Sequence, residues 1–383
     1  MAAPAKVEQQ KNHLPFLDGI RGTAILAVFL YHSLGIGFGA DQLKWNGLVR
    51  DFSASRSFLI LSPLTFGWAG VAVFFVVSGF CIHLSHQKCR EKGWLVFCNR
   101  RFFRIYPPYL LATFAFFFIW PWGSLSIGSP ERLVQLGSHL LAVHNLDPET
   151  FFGINGSLWS VAVEIQLYAI YPLLLYIVGK KGWKTALIFT GTLEVLIRIA
   201  ESISVTFYNE SIPFIIKHSP FGYWLSWSIG AYLAQCFLEG RTSWLSKVRF
   251  DLVAVVTLTV ALFKPTEPFG FLAWALLTGM AIDRLISEKW SLPKNRLFDL
   301  LWQHLTSLGL ISYSFYLFHQ PIINITKLVI GNLSPDKPFN PILKLAICLA
   351  WYPVIIGFSR FIYRRIEQPS IDLGKVVWEK FGR

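Results

Sequence analysis

Residues Leu17–Ser33 read LDGIRGTAILAVFLYHS. The stretch opens on an acid, a glycine and an arginine, runs through an apolar centre and closes on Tyr31-His32-Ser33. Arg21 and His32 stand eleven residues apart. On an α-helix that is about three turns and roughly 16 Å of rise, so both side chains leave the same face. Asp18, three residues before Arg21, falls near that face too. A helix this apolar can lie in lipid, where a charged or titratable side chain is costly unless it faces a protein interior. The stretch therefore predicts a membrane helix whose polar stripe meets other helices or a ligand.

The rest of the chain has the same character. Of 383 residues, 54% are hydrophobic and 15% charged, with a mean hydropathy of +0.47. A soluble chain would carry about a quarter charged residues. The 15 Trp and 34 Phe point the same way, because aromatic rings crowd membrane interfaces. An all-α, polytopic membrane protein is expected. The opening MAAPAKVEQQKNHLPF is polar with no apolar core, so no cleaved signal peptide is expected. The five cysteines are scattered, with no CxxC pair and no His partners at metal spacing. They are read as reduced, with no metal and no bound cofactor expected. The formal charge of +13 raises the question of nucleic acid. The basic residues, however, are spread over short loops between apolar runs, a pattern better explained by membrane orientation.

A hydrocarbon core of ~30 Å takes about 20 residues to cross. Ten runs qualify: 15–36, 64–86, 103–122, 157–179, 184–201, 221–238, 248–263, 268–286, 305–330 and 341–363. The seventh is short, and 131–145 is amphipathic and expected along the interface. An even count places both termini on one side. With that side cytoplasmic, 24 Lys and Arg fall in cytoplasmic segments and 7 in the opposite loops, while Arg21, Arg198, Lys327 and Lys344 lie within spans. That imbalance sets the orientation. Nothing divides the chain internally, so residues 1–383 are expected to form a single domain in a bacterial inner membrane or plasma membrane.

Several stretches carry candidate chemistry. VFFVVSGFCIH (Val73–His83) holds the pair Ser78-Gly79, which lets a helix or a ligand approach closely. RRFFRIYPPYLL (Arg100–Leu111) places Arg101 and Arg104 three apart on one face at the cytoplasmic mouth of the third span. Arginine suits forked recognition of phosphate, and it equally serves as an ordinary membrane anchor. Glu164 lies inside an apolar run, where a carboxylate pairs with a cation or keeps its proton. It either positions a catalytic group or partners an intramembrane arginine such as Arg21 or Arg198. Glu194 and Arg198 are spaced to neutralise one another. Asp283-Arg284 reads as a solvated pair, and Glu367 as a partner for an arginine of its own or a neighbouring helix. His319, before Pro321, reads as a hydrogen-bonded core residue. A histidine can take the proton of a hydroxyl as that oxygen attacks an activated carbonyl, so acyl transfer from a phosphate-bearing donor fits this set. A transporter fits almost as well, since polar groups at mid-membrane also mark substrate paths.

Taken together, LDGIRGTAILAVFLYH (Leu17–His32), VFFVVSGF (Val73–Phe80), RRFFRIYPPYLL (Arg100–Leu111), SLWSVAVEIQLYAIYPLLL (Ser157–Leu175), SYSFYLFHQPI (Ser312–Ile322) and YRRIEQP (Tyr363–Pro369) resemble the acyltransferase-3 family of integral-membrane acyltransferases. The Arg-x10-His spacing is met by Arg21 and His32, and the RxxR motif by Arg101 and Arg104. The resemblance implies ten membrane helices and transfer of an acyl group, usually acetyl, from cytoplasmic acyl-CoA to a sugar hydroxyl of an exported or cell-surface glycan. It implies His32 as catalytic base, with Glu164 in the polar core around the reaction. Arg21, Arg101 and Arg104 would hold the donor, and Ser78 and His319 would contribute to substrate binding. Ile165 departs from the acidic or polar residue that often follows the glutamate. Some members also carry a fused SGNH-type extracytoplasmic domain. This chain is expected to work without one, acylating its acceptor directly or through a separate partner. The alternatives are a non-glycan acceptor such as a macrolide or lipid, and transport of a glycan precursor.

Overall fold

The computed structural model describes residues 14–39, 60–119, 127–260, 262–287, 290, 295–333 and 339–381. Helix α1 (Pro15–Phe38) starts on a proline, whose fixed φ suits the first helical turn. Asp18 lies in that turn, at the positive end of the helix dipole. The helix stops at Gly39, where φ is 104°, a value only glycine adopts freely. Ile25, Val28, Phe29 and Leu34 are buried, so α1 lies within the bundle rather than on its edge.

The other long helices follow in order. They are α2 (Gly70–Cys89), entered through the 3-10 turns of Ser62–Ala69, then α3 (Trp94–Ile119), α4 (Pro130–Leu140) and α5 (Leu158–Ile203). After them come α6 (Trp224–Leu238), α7 (Phe250–Val260), α8 (Gly270–Ile286), α9 (Arg296–Leu310) and α10 (Ser312–Leu333). The last three are α11 (Pro341–Ala350), α12 (Tyr352–Ile362) and α13 (Gln368–Phe381). The described residues contain no strand. The protein is an all-α, multi-pass membrane protein, as its hydropathy predicts.

Among the described residues, 6 helical stretches are long and apolar enough to cross a membrane. One of them, Leu158–Tyr208, runs 51 residues, far more than a single crossing needs. It is broken at Gly182 (φ 77°, ψ 169°) and so supplies both of the expected spans 157–179 and 184–201. The expected seventh span is only 11 residues of α7. The expected ninth, 305–330, falls across two helices that part at Ile311 (φ −99°, ψ 7°). Ten uniform spans are therefore not what the chain builds, because several crossings are assembled from shorter or more polar pieces. Helix α4 lies outside the spans, as its amphipathic sequence predicts, and is capped by Ser129, whose hydroxyl accepts from the Arg132 amide.

Glycines set the closest helix crossings. A Cβ on Gly79 of α2 would stand 2.0 Å from the Trp227 carbonyl oxygen, and one on Gly230 of α6 would stand 1.8 Å from that of Val76. The two backbones touch, as small residues permit in membrane helices. Gly22 of α1 meets the Leu305 carbonyl in the same way, and Gly309 meets that of Asp18.

Two expected charge pairs come out differently. Arg198 donates to Glu194 Oε1 through Nη2 at 2.6 Å and Nε at 3.1 Å, the expected buried pair. Asp283 and Arg284, by contrast, are not solvated but buried. Asp283 accepts from the Ser243 amide, and Arg284 donates to the Val248 carbonyl and stacks over Phe250 and Trp290. The segment between α6 and α7 folds over the end of α8 and takes this pair out of water.

Candidate active site

Helix α3 begins at Trp94, about two turns earlier than its hydropathy suggests, and continues through Pro107 and Pro108. Arg101 and Arg104 therefore stand about two and three turns inside the helix. Both line a cavity of ≈ 100 Å³ together with Arg21, Ser78, Glu164 and Tyr168. Four helices bring these groups together. Arg21 comes from the first turns of α1, Ser78 from the glycine crossing of α2, the arginine pair from α3, and Glu164 with Tyr168 from the first half of α5.

Glu164 is held by two hydroxyls. The Ser78 hydroxyl donates to its Oε1 at 2.5 Å, and the Tyr168 hydroxyl donates to the same oxygen. The Trp227 indole N–H donates to Ser78 Oγ at 3.2 Å, tying the glycine crossing to this carboxylate. Arg104 lies within electrostatic reach of Glu164 and Glu367, and Glu367 accepts from the Ser314 hydroxyl at 2.7 Å. Arg101 donates to Ser85 Oγ at 2.6 Å and leaves its Nε buried without a hydrogen-bond partner. Arg21 stands 3.9 Å from Asp18. The cavity thus gathers three guanidinium groups around one lining carboxylate, Glu164, with Asp18 near Arg21 and Glu367 near Arg104.

His32 is elsewhere. It lines a second cavity, of ≈ 230 Å³, with Ser157, Trp159, Tyr316, Gln320 and Lys327. Among the described residues its imidazole has no hydrogen-bond partner, and it is partly open to the cavity. The ring of fully buried His319 lies 5.3 Å away. His319 Nδ1 meets the Tyr316 carbonyl at 2.8 Å, while its Nε2 is buried without a partner. The expected anchored core histidine is therefore also the nearest imidazole to His32. Glu164 and His32 line different cavities, so the carboxylate does not orient the imidazole. The expected face shared by Arg21 and His32 does exist, but its two ends open into separate chambers.

Tyr316 belongs to both chambers. Its hydroxyl shares a 2.7 Å hydrogen bond with Ser160 Oγ, and it lines both the arginine cavity and the His32 cavity. Sequence reasoning passed over this residue, along with Gln320, which accepts from Ser157 Oγ at 2.5 Å. A signal was present: Tyr316, Gln320, Asn324 and Lys327 recur at helical spacing along α10 and form one polar stripe. Tyr168 had a signal as well, one turn after Glu164 on the same face.

Comparison with known proteins bears on this arrangement. Residues 14–359 match a family described as an acyltransferase domain. The chain is 26% identical to the acyltransferase MdmB of Streptomyces mycarofaciens, an alignment covering 94% of this chain and 92% of that one. It is 25% identical to the putative peptidoglycan O-acetyltransferase YrhL of Bacillus subtilis, over 85% of this chain and 51% of the relative. It is 23% identical to the peptidoglycan O-acetyltransferase OatA of Listeria monocytogenes, over 97% of this chain and 58% of the relative. The chain thus spans nearly all of the first relative but little more than half of the other two. No solved structure matches it.

Proposed function

The chain belongs to the acyltransferase-3 family, and on that premise we propose that it moves an acyl group, usually acetyl in this family, from acyl-CoA to a hydroxyl of an exported or cell-surface glycan. One observation carries the reading: the arginine cavity and the His32 cavity share one lining side chain, Tyr316. A donor whose phosphates meet Arg101 and Arg104 points its thioester towards Tyr316, and an acceptor hydroxyl beside His32 approaches from the other side. Forked guanidinium–phosphate contacts suit the charged end of such a donor. At ≈ 100 Å³ the arginine cavity is smaller than a typical ligand cleft, so donor binding requires it to widen.

In this reading His32 takes the proton of the acceptor hydroxyl as the oxygen bonds to the thioester carbonyl carbon. The tetrahedral adduct then collapses, the carbon–sulfur bond breaks, and the CoA thiolate takes the proton back from the imidazolium. Glu164, fixed by Ser78 and Tyr168, balances the arginines so that the empty site does not bury unopposed positive charge. Ser78 acts through that carboxylate. His319 packs beside His32 and limits how its ring turns.

The glycan acceptor is supported by the likeness to two relatives named for peptidoglycan O-acetylation. The relative matched end to end is named only as an acyltransferase, with no acceptor stated, so a macrolide or lipid acceptor stands as the alternative to the glycan. Family membership sets aside the transport reading. The test compares alkali-labile acetyl esters on envelope glycans of cells expressing wild type, His32→Ala, or the Arg101→Ala/Arg104→Ala double variant at matched protein levels. Esters present in wild type and absent in both variants are expected. Esters undiminished in His32→Ala would overturn the assignment of the base. Equal ester content in all strains, including one lacking the protein, would remove the glycan as acceptor.

A further inference from the structure

A third cavity, of ≈ 280 Å³, opens beside the His32 chamber and shares Trp68, Phe152 and Trp159 with it. It lies at the end of the bundle where α5 runs into the 204–223 segment, and none of Arg21, Arg101 and Arg104 lines it. Whatever fills it is held next to His32 and apart from the arginine cavity. The mechanism above makes no use of it.

Its lining narrows the chemistry of the occupant. Aromatic rings supply flat apolar walls, with Phe214 and His218 packed at 4.2 Å between ring centres and Trp159 lying 5.9 Å from Tyr223. Between these rings stand charged groups, and each is already paired. Lys217 Nζ meets Glu201 Oε1 at 2.6 Å. Arg198 is neutralised by Glu194 and also donates to the Gly222 carbonyl at 2.8 Å and to that of Pro268. Burial and neighbouring Lys217 push the His218 imidazole down to about 3, so at neutral pH it meets a ligand as an uncharged hydrogen-bonding group. A phosphate or nucleotide would need a cation with an unbonded donor, as Arg101 has, whereas Arg198 and Lys217 are bonded directly to Glu194 and Glu201. A lipid tail would need no Lys, Glu or His at all. A neutral polyhydroxylated ring satisfies both conditions, because its axial C–H faces lie on aromatic walls while its hydroxyls exchange hydrogen bonds with fixed polar groups.

We infer that the cavity bounded by Trp159, Phe152, Phe214, Tyr223, Lys217 and His218 is a subsite for a pyranose ring of the acceptor, adjoining the ring whose hydroxyl is acylated at His32. This rests on the glycan reading above and gives the acceptor a minimum of two sugar units.

The test uses the full chain in lipid nanodiscs, with acetyl-CoA as donor and soluble tetramers of N-acetylglucosamine, glucose and xylose as probes. Phe152→Ala and His218→Gln are compared with wild type for the KM of each substrate. Phe152 is 62% exposed, so its ring can be removed without opening the core, and a melting curve checks the fold of both variants. The expected result is a rise in acceptor KM of about tenfold or more with the acetyl-CoA KM unchanged. Monomeric sugars should be poorer acceptors than tetramers in wild type and no worse in the variants. An unchanged tetramer KM in folded variants would overturn the subsite while leaving glycan acylation standing. A parallel rise in the acetyl-CoA KM would also overturn it, by moving these residues onto the donor path. Failure of wild type to acylate any tetramer, with acylation of a macrolide sensitive to the same variants, would overturn both the subsite and the glycan reading.

Discussion

One of the closest helix crossings in the bundle makes a sharp prediction. In Gly230→Ala the new Cβ would stand 1.8 Å from the Val76 carbonyl oxygen and 2.8 Å from the Phe80 amide nitrogen, whereas ordinary contact begins at 3.4 Å. Both obstacles are backbone, so no rotamer relieves them, and α2 and α6 must part by about 1.5 Å over at least one turn. Overpacking of this kind costs about 1–3 kcal/mol when side chains can yield, and a backbone clash belongs at or above the top of that range. The damage reaches the site, because the Trp227 indole N–H that bonds Ser78 Oγ at 3.2 Å rides on α6. The expected result is a melting midpoint lower by several degrees in detergent and a lower rate of acyl transfer even well below that midpoint. Gly357→Ala is the matched control. A Cβ there meets nothing within 4 Å, so it should leave stability unchanged or raise it by up to about 1 kcal/mol. A Gly230→Ala variant that melts with wild type would refute the claim that this crossing is closed by glycine.

Two other perturbations follow from the same geometry. Arg198→Met leaves Glu194 charged and buried with only Ser226 for company and removes the donor to the Gly222 and Pro268 carbonyls. It should cost about 3–5 kcal/mol, and Glu194→Gln added to it should recover part of that. Equal melting midpoints for the single and double variants would contradict the pairing. Acid should loosen the segment around α4, where the rings of buried His139 and His144 stack 3.8 Å apart. Burial pushes His139 down to about 4 and holds His144 well below the ordinary range, with His139 adding to the effect. The unfolded chain, titrating near 6.5, therefore binds more protons than the folded one between the two values, and stability falls as pH drops through that window. By pH 5 His139 alone should withdraw about 2 kcal/mol. Hydrogen exchange of residues 130–156 at pH 7.5 and pH 5 measures it, and equal protection at both would sink the idea.

How much of this was legible beforehand varies with the residue. The polar stripe on α1 was plain, because Arg21 and His32 are conspicuous in an apolar run. The Glu194–Arg198 pair followed from spacing on one helix. The burial of Asp283 and Arg284 did not, since it depends on a loop from elsewhere in the chain closing over them. Helix α3 begins earlier than expected because the apolar Trp94–Phe97 continues the same helix ahead of the polar run Asn99–Arg104. The separation of Glu164 from His32 is a fact of tertiary packing. Each lies on a helix whose sequence tells which face is polar, but not which neighbour that face meets. Tyr316 escaped notice because a tyrosine in an aromatic-rich span carries no mark until two cavities are found on either side of it.

That tyrosine has a consequence beyond chemistry. The arginine cavity begins near one end of α1 and the His32 cavity lies near the other, and Tyr316, bonded to Ser160, is the side chain the two share. In the proposed reaction an acyl group would pass there while protons and ions would not. A catalyst built this way carries the burden of a channel that stays shut: every turnover has to part the seal wide enough for a thioester while leaving the membrane potential intact.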